Sequence, residues 1–124
     1  MAVRRPFIIR REQMHVLEAA LQPAFEARLA ARVRELFAEE AAAVGDDAAL
    51  GARIRAAIAR AARYDVTRER DVALFVDLDI ALGADFEDAP ATAWARPMLE
   101  SRYPGHVKIA RVAARMRRQL AAEA

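Results

Sequence analysis

Few residues in this chain could act as nucleophiles. Ser101 is the sole serine, Thr67 and Thr92 are the two threonines, and there is no cysteine and no asparagine. A serine–histidine–acid relay would require Ser101 to meet His15 or His106, and no Gly-x-Ser-x-Gly turn presents Ser101 for attack. The two histidines fall in no His-Glu-x-x-His pattern. His15 lies beside Glu12 and Glu18 at helical spacing, which reads as a solvated imidazole, and His106 follows a Pro-Gly turn. The four glycines, at 45, 51, 83 and 105, form no phosphate-binding loop. No enzyme activity is expected from this inventory.

Carboxylates are the acid–base groups present in quantity. Asp77 and Asp79 form an Asp-x-Asp pair, but two residues on a helix diverge by roughly 200°, and Gly83 falls one place late for a calcium loop. Asp85, Glu87 and Asp88 could hold a cation weakly, although a solvated loop is the plainer reading. No cofactor or metal is therefore expected. A central aspartate that is buried would need an arginine beside it, because an unpaired buried charge is very unfavourable. Arg53, Arg60, Arg63 and Arg70 are the candidates.

The frame that must position these groups is helical. The run at 71–82 is the densest apolar stretch, with Leu74, Leu78 and Leu82 on one face, Thr67 ahead as a cap and Gly83 behind as a stop. The alternation of residues 76–80 also fits a strand, but no second strand is available to pair with it, so a buried central helix is predicted. Residues 1–8 read as an N-terminal arm and 9–124 as a single helical domain. A short helix over 9–21 is broken near Pro23. A second helix carries Phe25, Leu29, Val33 and Leu36 and runs to Gly45. A third, capped by Asp46 or Asp47, carries Leu50, Ile54, Ile58 and Ala61. An acidic loop over 83–91 with Phe86 tucked in leads to a short helix over 92–101, with Pro97 in its first turn or kinking it. The last helix begins near His106, with Ile109, Val112, Met116 and Leu120 on its apolar stripe. The expected architecture is all-α, an irregular antiparallel bundle of five to six helices.

Composition limits the partners. Lys108 is the sole lysine, and with a net charge of +2 the many arginines do not make the protein strongly basic. No run reaches the roughly 20 apolar residues of a spanning helix, and the three apolar residues after Pro6 are too few for a signal peptide. A cytoplasmic protein is expected, as a monomer or a homodimer. Lys108, Arg111, Arg115 and Arg118 form a basic stripe that could follow nucleic-acid phosphates, but no aromatic residue is interleaved with it. Trp94, with Phe86, brackets the acidic loop: it either pins that loop to the bundle or serves as a hot spot for a partner. Tyr64, Phe86, Trp94, Arg111, Arg115 and Arg118 are the candidate partner-binding residues.

The residues 9-Ile-Arg-Arg-Glu-Gln-Met-14, the turn Tyr64-Asp-Val-Thr67, and the segment from Leu82-Gly83-x-Asp-Phe86 through Pro90 to Trp94 together resemble a family of small helical bacterial proteins. Its members are often found near type VI secretion and polymorphic-toxin genes. The resemblance spans roughly residues 9–95. It implies a protein that binds a secreted effector, toxin or secretion component, as an immunity, adaptor or chaperone-like factor, and it carries over no catalytic residues. Asp65 stands where that family usually has glycine.

Overall fold

The computed structural model describes residues 23–123. The expected arm, the first short helix, the break near residue 22 and His15 lie outside the described residues. Six α-helices are present among the described residues, with no strand. They are α1 (23–36), α2 (Ala38–Val44), α3 (Asp47–Arg63), α4 (Glu69–Leu82), α5 (Ala95–Leu99) and α6 (Gly105–Glu123). The chain is an all-α bundle, and the alternating residues 76–80 are helical. No helix among the described residues is long and apolar enough to cross a membrane.

The second predicted helix is bent into α1 and α2 at Phe37, which leaves helical geometry at φ −133° and ψ 54°. Hydrogen bonds continue across the bend, from the Phe37 amide to the Val33 carbonyl and from the Ala41 amide to the Phe37 carbonyl, both at 2.8 Å. Phe37 packs against the core, whereas Leu36, expected on the apolar stripe, is 55 % exposed. Asp46 caps α3 by accepting from the Ala49 amide at 2.9 Å. The buried line of α3 is Leu50, Ile54, Ala57 and Ala61, with Ile58 half-buried beside it.

α4 packs against both α3 and α6. Its deepest side chains are Phe75, Val76 and Asp79 rather than the leucine line, of which Leu74 and Leu82 are half-buried. Thr67 does not cap the helix. The cap position is Arg68, and Thr67, one residue earlier, is exposed. Asp65 in the α3–α4 turn has φ 63°, a left-handed conformation that glycine adopts freely and aspartate tolerates.

That turn meets the start of α6. A Cβ on Gly105 would sit 1.8 Å from the Asp65 carbonyl oxygen and 2.6 Å from its carbon, so only a residue without a side chain lets the two segments touch. Gly105→Ala should therefore destabilise the fold by about 3 kcal/mol or more. Urea unfolding would measure this, with Gly51→Ala on α3 as a control expected to change stability far less, because the nearest atom there is the end of the Arg55 side chain.

Candidate functional site

Of the four carboxylates buried among the described residues, two lie deepest. Asp79 is fully buried and Glu87 is 2 % exposed. α3 supplies their counter-ions. Arg53 donates from Nε to Asp79 Oδ2 at 2.7 Å, and from Nη2 to the Asp79 main-chain carbonyl at 2.7 Å. Arg60 donates from Nε and Nη2 to the two oxygens of Glu87 at 3.0 and 2.9 Å. Its Nη2 also lies 2.9 Å from Asp79 Oδ1, as an ion pair without the geometry of a hydrogen bond. The Tyr64 hydroxyl donates to Glu87 Oε2 at 2.9 Å. Two arginines thus face two buried carboxylates, and the exposed Asp85 lies at the edge, 3.3 Å from Arg60.

The pairing follows helical periodicity. Arg53 and Arg60 stand two turns apart on one face of α3, so both reach α4. Arg60 also lies over the rings of Phe75 and Phe86, at 5.2 and 5.9 Å from their centroids. Phe75 bridges Tyr64 and Phe86, with ring centroids 6.2 and 5.4 Å apart. Arg53 has a second role. α4 has no basic residue in its last turn, and Arg53 places a cation on the carbonyl end of that helix from its neighbour.

Charge and burial set the proton affinities. Burial would push the Glu87 carboxyl up, but hydrogen bonds from Arg60, its own backbone amide and Tyr64 outweigh it and hold the group below its usual value. Tyr64 is pushed up to about 12, by burial first and then by its hydrogen bond to ionised Glu87. Burial opposes the charge on Arg60, yet Glu87 and Asp79 keep its pKa raised. Near neutrality the carboxylate stays charged and the phenol stays protonated. The arrangement ties α3, α4 and the turn after it together through charged hydrogen bonds.

The expected partners Arg53 and Arg60 are those that bind Asp79. Asp77 is held by Arg32 of α1, at 2.8 Å from Nη2 to Oδ2, a partner the sequence reading missed. Arg63 and Arg70 pair with neither aspartate. The loop over 83–91 is not a simple solvated acidic loop. It contains 3₁₀ turns at Phe86–Asp88 and Pro90–Thr92, joined by the Thr92 hydroxyl donating to the Phe86 carbonyl, and it buries Glu87. Among the described residues no three acidic or histidine side chains converge to hold a metal ion. Ser101 donates its hydroxyl to the Met98 carbonyl at 2.7 Å.

The candidate partner-binding residues separate into two groups. Phe86 is a core residue, 1 % exposed, so it offers no surface to a partner. Tyr64 is half-buried on Glu87. Trp94 does pin its segment to α6: its Nε1 donates to Gln119 Oε1 at 2.8 Å, and Gln119 Nε2 donates to the Ala91 carbonyl at 3.3 Å. The three aromatics form no shared exposed patch. On α6, Arg111 lies 4.4 Å over the Tyr103 ring and Arg115 4.7 Å over the Trp94 ring. Arg111, Arg115 and Arg118 are exposed. Lys108, expected in the same exposed stripe, is buried at 6 % exposure. Leu120, expected on the apolar stripe, is 52 % exposed. Tyr103 is read from the sequence only as part of a turn, and Gln119, one turn beyond Arg115, is a contact the sequence reading does not assign.

No family model, curated protein or solved structure matches the chain.

Asp79→Ala would leave Arg53 without a carboxylate and Arg60 with Glu87 and Asp85 alone, and should cost about 3–5 kcal/mol. Asp77→Ala, whose partner Arg32 is half exposed, should cost on the order of 1 kcal/mol or less. Chemical denaturation of both variants checks the ranking. Glu87 binds its proton less readily folded than unfolded, so its contribution is complete above its ordinary value of 4.5 and is lost as pH falls through the lower folded value. The melting-temperature gap between the parent and Glu87→Gln should therefore be constant near neutrality and narrow below about pH 4.5. A gap unchanged down to pH 2 or so would remove Glu87's charge from the account.

Proposed function

We propose that the protein is a non-catalytic interaction module that binds an acidic partner protein through the outer face of α6. The observation that carries this reading is the state of the α6 arginines. Arg111, Arg115, Arg117 and Arg118 form no ion pair among the described residues, and two of them lie over aromatic rings. A guanidinium held on a ring has lost part of its freedom before binding, and arginine with aromatic residues dominates protein-binding hot spots. The buried carboxylates, by contrast, are engaged in holding helices together.

The narrower reading is that of an immunity, adaptor or chaperone-like accessory protein of a bacterial type VI secretion or toxin system, acting in the cytoplasm on a secreted effector, toxin or secretion component. Its support is the set of sequence motifs described above. The left-handed Asp65 agrees with a turn position where similar proteins usually carry glycine.

Nucleic-acid binding is the second reading. Tyr103 and Trp94 supply the aromatic surfaces that the basic stripe lacks in linear sequence.

Purification at native expression should yield one stoichiometric acidic protein, released by salt and lost from the Arg111→Glu/Arg115→Glu variant. The same variant should keep its melting temperature within a few degrees, because both side chains are on the surface. A monomer that captures nothing at native level counts against the reading. Retardation of short RNA or DNA at low salt, abolished by the same double change, would favour the nucleic-acid reading instead.

A further inference from the structure

An open cavity of about 580 Å³ lies between the end of α3, the 3₁₀ turn at Phe86–Asp88, α5 and the start of α6. Its volume falls within the range of small-molecule sites, roughly 300–1,000 Å³. Four cations and four carboxylates line it: Arg60, Arg63, Arg96 and Lys108 against Asp85, Glu87, Asp88 and Glu100. Their pairing is uneven. Arg60 takes Glu87 and Asp85, and Arg96 takes Asp88 and Glu100. Each of the four carboxylates thereby touches a cation, two to each arginine, whereas Arg63 and Lys108 form no ion pair among the described residues.

Lys108 is the more telling of the two. It is 6 % exposed, yet its ammonium has a single acceptor among the described residues, the Ser101 carbonyl at 3.4 Å. An ammonium has three donors. It also stands in the first turn of α6, where the helix dipole disfavours a cation, and no acidic residue of that turn offsets it. A buried positive charge at a positive helix end, lining an open cavity, is the electrostatic complement of an anion.

We propose that this cavity binds the anionic oxygen group of a small molecule, a phosphate or a carboxylate, held by Lys108 from beneath and by Arg63 from the rim. Tyr64, half-buried at the mouth, supplies the wall against which the rest of such a molecule would lie. The Tyr64 hydroxyl donates to Glu87, so it contributes surface and does not compete for the anion. The site is separate from the outer face of α6 and does not depend on that face binding a partner.

The test is titration of the 124-residue chain with inorganic phosphate, and separately with succinate, followed by amide chemical shifts at constant ionic strength. Saturable shifts centred on residues 63–65 and 105–109 are expected with at least one anion, and which anion gives them identifies the chemistry. Lys108→Met and Arg63→Gln should each weaken the response roughly ten-fold or more, as expected when a hydrogen bond to a charged group is lost. Arg111→Ala/Arg115→Ala/Arg118→Ala should leave it unchanged. Lys108→Met is also expected to melt no lower than the parent in anion-free buffer, because it removes an unpaired buried charge. If that variant fails to fold, exposed Arg63→Gln carries the test alone. No saturable response to either anion overturns the proposal. So does a response that survives both single changes, or one that disappears with the three outer arginines.

Discussion

Burial of Asp79 is the constraint to which the rest of the bundle answers. A carboxylate with no exposed surface on the central helix must have cations brought to it, and those cations must come from another element. Arg53 and Arg60 meet that need from α3, which fixes the rotation and the axial position of α3 against α4. Arg60 then has charge to share, and Glu87 uses it. The segment after α4 is drawn back onto α3 through that one guanidinium and through the Tyr64 hydroxyl. Two helices and the following 3₁₀ turn are thus indexed to one another by ionic contacts, whereas apolar side chains alone would tolerate a slip of one turn.

Much of the bundle was legible in the sequence where local chemistry decides. Asp46 as a cap and Gly45 and Gly83 at helix ends follow from backbone requirements, as does the start of the last helix at the Tyr-Pro-Gly turn. The bend at Phe37 was not legible, because neither proline nor glycine marks it. The orientation of α4 was misread for a physical reason. Hydrophobicity points to the leucines, but the deepest face is shared by Phe75, Val76 and a charged Asp79, whose burial depends on arginines far away in the chain. The requirement for an arginine could be stated in advance, and periodicity on α3 narrows the candidates. The partners of Asp77 and Glu87 depend on how helices are placed, which no local pattern encodes.

The candidate sites divide along the same line. Polarity alone put Lys108 with Arg111, Arg115 and Arg118, since all fall at helical spacing. The fold separates them. The first turn of α6 is enclosed by the α3–α4 turn and α5, so Lys108 is covered, and later turns emerge into solvent. Aromatics from two other segments, Trp94 and Tyr103, arrive beside the outer arginines. One helix therefore carries an enclosed cation at its start and an exposed set further along, of which Arg111 and Arg115 lie over rings. Phe86, read as a possible contact residue, is taken into the core against Phe75.

The position of Arg53 bears on how the chain folds. The carbonyl end of α4 is neutralised by a guanidinium belonging to α3, and α4 itself ends without a basic residue. A segment so constituted gains full helical stability only once its neighbour is in place. Coil-to-helix ordering of α4 and its docking on α3 are therefore coupled, which makes the pair a cooperative unit rather than two independently formed rods.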